Sequence, residues 1–219
     1  MAHDDFEIEP VRGLPETPPE GERILWQGRP AWRSLARRWL RTRWVMGWFA
    51  LLLAWRAGAL WAAGAPSVEI LAVAVWLAGL GAAAVGVLSL LAWITASNTV
   101  YTITNRRVAM RIGVALTVTL NLPFRWIASA DLRAHPDGTG DIPLALSGGD
   151  KIAWAVLWPH ARPWRMKTPE PMLRCVPEAG RVATILADAL RADLARREAE
   201  TPDETPAPAE TPADRIAAE

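Results

Sequence analysis

The chain has 219 residues, of which 51% are hydrophobic and 21% charged, and a formal net charge of +1. That leaves room for one modest soluble domain beside apolar spans and excludes a large enzyme. A single cysteine, Cys175, excludes an internal disulfide and a thiolate metal cluster, and the 3 histidines offer no pair at helical spacing to hold a metal.

Residues 1–21 are rich in proline and acids and lack apolar periodicity, so they read as a flexible segment serving as tether or recognition peptide. The opening MAHDDFEIEP is acidic where a secretory signal is basic, so the spans themselves are expected to target the chain. Residues 22–31 carry the strand ERILWQ, closed by Gly28 and Pro30. In residues 32–43, Trp32, Leu35, Ala36, Trp39 and Leu40 share one helical face, with Arg33, Arg37, Arg38 and Arg41 between them. The pattern predicts a basic amphipathic helix lying in the headgroup layer, with Arg37, Arg38 and Arg41 as candidate headgroup contacts.

A first transmembrane helix is expected over residues 44–63; its run from Trp44 to Trp61 covers about 27 Å, enough for the bilayer core, with tryptophans at both edges. A short turn leads to residues 70–97, a stretch free of Asp, Glu, Lys and Arg and longer than the roughly 20 residues that cross a membrane. Arginines crowd the segment before the first span and recur at Arg106, Arg107 and Arg111, whereas the connecting turn has no Lys or Arg. By the positive-inside rule both ends, and the domain that follows, face the cytoplasm.

Residues 98–197 change period. Strands are predicted over 100–104, 107–112 and 115–122, where Leu116, Val118, Leu120 and Leu122 face one side and Thr117, Thr119 and Asn121 the other. Further strands are expected at 144–146, at 151–158 after a Gly148-Gly149-Asp150 turn, and at 172–176. Pro177 then opens a helix whose stripe is Val182, Ile185, Leu186, Ala189 and Leu190. The fold class is membrane α+β: a two-helix transmembrane hairpin inserted into a PH-like β-barrel or sandwich with a C-terminal helix. Residues 198–219 form an acidic, proline-rich tail expected to be disordered.

Two passages, GERILWQGRPAW at 21–32 and NTVYTITNRRVAMRIG at 98–113, resemble a bacterial PH-like membrane domain, in which such segments flank a pair of spans. The stretch EPVRGLPETPPEGERILWQGRPAW at 9–32 resembles the start of the PuhB family of photosynthetic-complex assembly proteins from purple phototrophic bacteria. The resemblance implies a non-enzymatic assembly factor for the photosynthetic reaction centre and its light-harvesting complex. Its implied partners are reaction-centre and light-harvesting subunits or other assembly factors, besides membrane lipids, with homo-oligomers allowed and no nucleic acid or cofactor called for. That family is often drawn with three spans; here the third candidate, residues 142–158, contains Asp150, Lys151 and two glycines and suits a β-hairpin better.

Several residues carry two readings. Arg56 is the charge inside the first span: it either snorkels to the outer headgroups, with Glu69 as a partner, or makes an intramembrane polar contact with another helix or a pigment. Gly79, Ala82, Ala83 and Gly86 form small-xxx-small pairs that serve either the hairpin's own packing or the docking of a client helix. Arg106 and Arg107, at a strand turn, are either headgroup contacts or solvated turn residues. Nine of the 13 tryptophans lie between Trp26 and Trp93, where interfacial anchoring accounts for them, and Trp154 and Trp158 are expected in the core. His135 and His160 sit in loops, where a histidine is usually solvated, and no histidine within a span is available to ligate a pigment. No nucleophile–base pair, phosphate loop or dinucleotide fingerprint occurs. The alternative to an assembly factor is a general PH-like lipid-binding module at the membrane surface; a small transporter fits least, because no polar stripe lines either span.

Overall fold

The computed structural model describes residues 14, 17–113, 117–147, 157, 160–162 and 169–200. The expected glycine turn at 148–150, Trp154, Trp158, most of the 151–158 strand and the acidic tail lie outside the described residues.

Strands β1 (Ile24–Gly28), β2 (Val100–Thr104), β3 (Arg107–Ile112) and β4 (Val118–Pro123) form an antiparallel sheet in sequence order. Gln27 lies opposite Thr102, so everything between β1 and β2 is an insertion that leaves the sheet continuous. The insertion comprises α1 (Trp32–Arg38), α2 (Thr42–Ala62) and α3 (Ser67–Asn98). A 3-10 turn at Phe124–Trp126 carries the chain to a second sheet of β5 (Ile127–Ala130), β6 (Arg133–Ala134), β7 (Thr139–Leu146) and β8 (Met172–Pro177). β5 and β6 pair with β7 in one register, Ala130 with Leu144 and Arg133 with Asp141, as one edge strand interrupted at Asp131 and Leu132. Helix α4 (Ala179–Glu200) follows β8.

One apolar core joins these layers: Tyr101, Ile103 and Met110 from the first sheet, Ile142, Leu144 and Leu173 from the second, and Val182, Leu186 and Ala189 of α4. The helix residues follow the i, i+4, i+7 stripe expected of a helix that buries one face. Gly140 lets the layers approach, since a Cβ there would stand 2.6 Å from that of Ala179. Among the described residues no strand of one sheet pairs with the other, so the barrel of the sequence reading resolves to a sandwich. The chemistry at the would-be seams explains the gap. Pro30 has no N–H to extend β1 and the chain turns into α1, while Pro123 ends β4. A bulge at Arg174 and Cys175, with Cys175 at φ 49°, points the Cys175 carbonyl at the Ala31 N–H, 2.9 Å away.

Both α2 and α3 are long and apolar enough to cross a membrane, and only 6% of each apolar window is buried, unlike the core helix of a soluble protein. Trp44, Trp61 and Trp76 are 76%, 80% and 73% exposed. The turn between the helices ends α2 in a Schellman motif: Gly64 has φ 74°, its N–H donates to the Trp61 carbonyl, and the Ala65 N–H donates to that of Leu60. At 32 residues α3 is about 48 Å long against roughly 30 Å of hydrocarbon. Its surplus turns enter the domain, where Ala92, Thr95 and Ala96 are buried.

The expected interfacial helix departs from its prediction in length and in what its apolar face meets. Helix α1 stops at Arg38, and Arg41 takes a left-handed conformation, φ 50° and ψ 39°, that starts α2 in a new direction. Leu35 is fully buried, packed with Ala96 of α3 and Cys175 of β8 rather than with lipid. Ser34 donates to the Asp137 carboxylate at 2.9 Å and anchors α1 to the β6–β7 turn.

Candidate functional site

Helices α2 and α3 touch through a small set of positions. A Cβ on Gly81 would lie 3.0 Å from the Phe49 ring, so glycine there lets the two helices approach closely. The four small residues singled out in the sequence are on other faces: Gly79, Ala82, Ala83 and Gly86 are all exposed, and a Cβ at Gly79 or Gly86 would meet nothing within 4 Å. Ala82 and Gly86 form one wall of an open groove of about 530 Å³ whose other wall is Met46, Phe49, Ala50 and Leu53. The groove is almost wholly apolar. Arg56 stands one helical turn beyond Leu53 and is exposed. Among the described residues neither Arg56 nor Glu69 forms an ion pair, so the pairing of the two weighed in the sequence is not made.

At the base of the hairpin a second, polar cavity of about 830 Å³ opens between the α1–α2 corner and the second sheet. Arg37, Arg38 and Arg41 line it from the helices, and Arg133 and His135 from the β6–β7 hairpin. Asp137 holds two of these guanidiniums at once, Arg37 at 3.5 Å and Arg38 at 3.4 Å. Hydrogen bonds from Thr139 and Ser34, together with Arg38, keep the Asp137 carboxyl well below the usual carboxylate range. His135 Nε2 lies 3.3 Å from Asp141 but outside hydrogen-bond geometry, and is left buried without a bond.

Arg106 and Arg107 are not at this face. Val100, two residues after the end of α3, pairs with Arg111, while Arg106 and Arg107 close the opposite end of the β2–β3 ladder, roughly 16 Å along the strand. Arg107 grips Glu22 with Nε at 2.8 Å from Oε1 and a terminal nitrogen at 3.1 Å from Oε2. Asn105 adds bonds to the Arg23 N–H and the Gly21 carbonyl, both 2.9 Å. The two motifs GER and TNRR therefore recognise each other, and Arg107 is spent on a buried carboxylate rather than on headgroups. Arg106 lines a small surface cavity with Arg125, Arg196 and Arg197.

His160 overturns its expected solvation: it is fully buried beside Tyr101, and burial together with the Arg174 guanidinium pulls its pKa down to about 3. The sequence does not signal this burial, nor Arg133 in the wall of the polar cavity, nor the contact of Asp137 behind it with Arg37 and Arg38; Trp44 is legible as an interfacial residue but not as part of the cavity. Asp137 had a local signal in its HPDGTG turn; Arg133 enters the site only through the β6–β7 register.

A family model described as bacterial PH domain matches residues 45–190. A Rhodobacter capsulatus protein, "Uncharacterized 23.7 kDa protein in puhA 5'region", is 41% identical over 195 residues, spanning 89% of this chain and 91% of its own length. A solved duf1696 family protein with a pleckstrin-homology domain from Shewanella loihica PV-4 is 14% identical with a TM-score of 0.28, covering 42% of this chain and 70% of its own. With the family model matched over most of its length and a relative of that identity spanning nearly all of it, the chain belongs to the bacterial PH domain family.

Proposed function

We propose that the chain is a non-enzymatic assembly factor for the photosynthetic reaction centre and its light-harvesting complex. The hairpin holds client transmembrane helices, and the PH-like sandwich and acidic tails engage client loops or other assembly factors on the cytoplasmic side of a bacterial inner membrane. The observation that carries the mode of action is the groove beside Ala82 and Gly86: the hairpin packs through Gly81 and leaves a close-approach surface open along its length. A helix seated there gains packing that lipid tails do not match. The photosynthetic setting is supported by the name of the Rhodobacter capsulatus relative, which places that protein in the puhA 5'region, and by the resemblance of residues 9–32. The orientation is supported by Arg37, Arg38, Arg41 and Arg43 around the start of α2 and by a hairpin turn without Lys or Arg.

The test is affinity purification of the tagged chain in mild detergent while pigment complexes are being made. Reaction-centre or antenna subunits are expected in the eluate, and deletion of the gene is expected to lower their accumulation. An eluate without them, together with normal accumulation in the deletion strain, sinks the proposal and leaves a general membrane-surface module.

A further inference from the structure

We infer that the polar cavity at the base of the hairpin is a binding site for one anionic phospholipid, its phosphodiester held by Arg41 and Arg133 and its acyl chain laid along α2. The inference rests on the hairpin spanning a membrane, as in the function proposed above, and not on the identity of any client.

The cavity wall carries five arginines against two carboxylates, Asp131 and Asp141. Asp141 accepts the Cys175 N–H at 2.8 Å but, like Asp131, keeps its negative charge, and Arg162 is taken by Glu170 at 2.7 Å, so the arginines of the wall remain in excess of its acids. Asp137 balances Arg37 and Arg38 with a single charge, so that trio keeps one positive charge. Among the described residues Arg41 and Arg133 have no side-chain partner, and His135 Nε2 is a buried nitrogen with none in bonding geometry. Guanidinium pairs fit phosphate oxygens bidentately, which makes an anion with several oxygens the matching ligand.

The other end of the ligand is shown by Trp44. It borders the polar cavity and also an apolar groove of about 460 Å³ formed by Arg43, Gly47, Trp48 and Leu51. Nothing lies within 4 Å of where a Gly47 Cβ would be, so the notch between the two indoles is open. Trp44 lies in the first turn of α2, the level at which indoles mark the membrane–water boundary. A charged cavity that continues past an interfacial indole into an apolar groove matches a molecule with an anionic head and a hydrocarbon tail. A soluble phosphate would use only the first half.

The full chain, delipidated in detergent, is titrated with phosphatidylglycerol or phosphatidylcholine and the bound lipid is counted by native mass spectrometry. Phosphatidylglycerol is expected to bind more tightly, and R41Q/R133Q to lose about fivefold per guanidinium, the equivalent of roughly 1 kcal/mol for a cation beside an anionic headgroup. R106Q, remote from the cavity, is expected to keep the preference. If the double variant fails to give a native circular dichroism spectrum, R133Q alone, on a short exposed strand, carries the test. Equal affinity for the two lipids, or an unchanged preference in the variants, overturns the inference. Displacement of the lipid by equimolar inorganic phosphate overturns it as well, assigning the cavity to a soluble anion. Release of the reconstituted chain from vesicles by alkaline carbonate would refute the membrane placement itself, whereas a retained chain without lipid preference refutes only the site.

Discussion

The Tyr101 hydroxyl lies 2.7 Å from His160 Nδ1, and the two are joined into a chain that has one consistent direction of donation. The Arg174 N–H donates to the Tyr101 oxygen at 3.1 Å, Tyr101 donates to Nδ1, Nε2 donates to Thr99 Oγ1 at 3.3 Å, and Thr99 donates to the Thr95 carbonyl at 2.8 Å. Only the neutral Nε2–H tautomer satisfies every link. The chain runs from the bulge of β8 to the last turn of α3, so it fastens the end of a long apolar helix to the sandwich. Y101F removes the middle link and leaves the Nδ1 acceptor and the Arg174 N–H buried and unpaired. The expected loss is about 1–3 kcal/mol, read as a lowered unfolding temperature in detergent.

The same neutral imidazole makes stability pH-dependent with a definite sign. Its folded pKa is about 3 against an ordinary 6.5, so the unfolded chain takes up the proton first. The contribution is complete above pH 6.5 and declines as pH falls toward 3, by about 1.4 kcal/mol per pH unit for one proton. Asp137 is also depressed, but from an ordinary value of 3.8, so its share is lost only in more acid solution. Denaturant titrations across mildly acid pH are therefore expected to show a slope in the native chain that H160Q flattens. An equal slope in both would place the proton elsewhere.

Glu22 and Arg107 stand 85 positions apart and form a bidentate pair with the Glu22 side chain only 3% exposed. Removing one member of such a pair leaves a charge without its partner, which costs more than the pair itself contributes. E22Q is expected to lower stability by about 3 kcal/mol and to speed hydrogen exchange in β1 first. R107K is expected to recover little, because an ammonium cannot span both carboxylate oxygens. In a double-mutant cycle E22Q and R107Q should be far from additive.

The two long apolar helices and the first sheet are legible in the sequence because each leaves a single pattern: an uncharged, apolar run from Ile70 onward in α3, and every second residue in β3 and β4. The apolar stripe of α1 is plain in the sequence, but Leu35 satisfies a protein interior as well as a lipid surface, so the stripe does not show that it meets Ala96 and Cys175 rather than headgroups. β5 and β6 are short, broken at Asp131 and Leu132, and defined by their register with β7, so nothing local announced them. His160 looked like a loop residue because its partners Thr99 and Tyr101 lie about sixty positions away. Glycine spacing in α3 showed that a close approach occurs, but not which face uses it; that depended on the position of Phe49.

Gly81 and Gly86 separate the hairpin's own packing from its open groove. At Gly81 an added Cβ would stand 3.0 Å and 3.1 Å from Phe49 carbons, so G81L forces α2 and α3 apart and is expected to cost about 1–3 kcal/mol through overpacking. At Gly86 nothing lies within 4 Å, and G86L is expected to change stability by no more than about 0.5 kcal/mol, as for an unpacked surface position. Its leucine would nevertheless occupy the groove between Met46, Phe49 and Val85. The two variants therefore predict opposite patterns: G81L impairs the hairpin, while G86L leaves it intact and reduces the reaction-centre or antenna subunits recovered with the tagged chain. Should G86L recover them undiminished at normal expression, the client helix does not use this groove. A parallel A83L variant would then test the neighbouring face, where Gly79 and Ala83 are exposed.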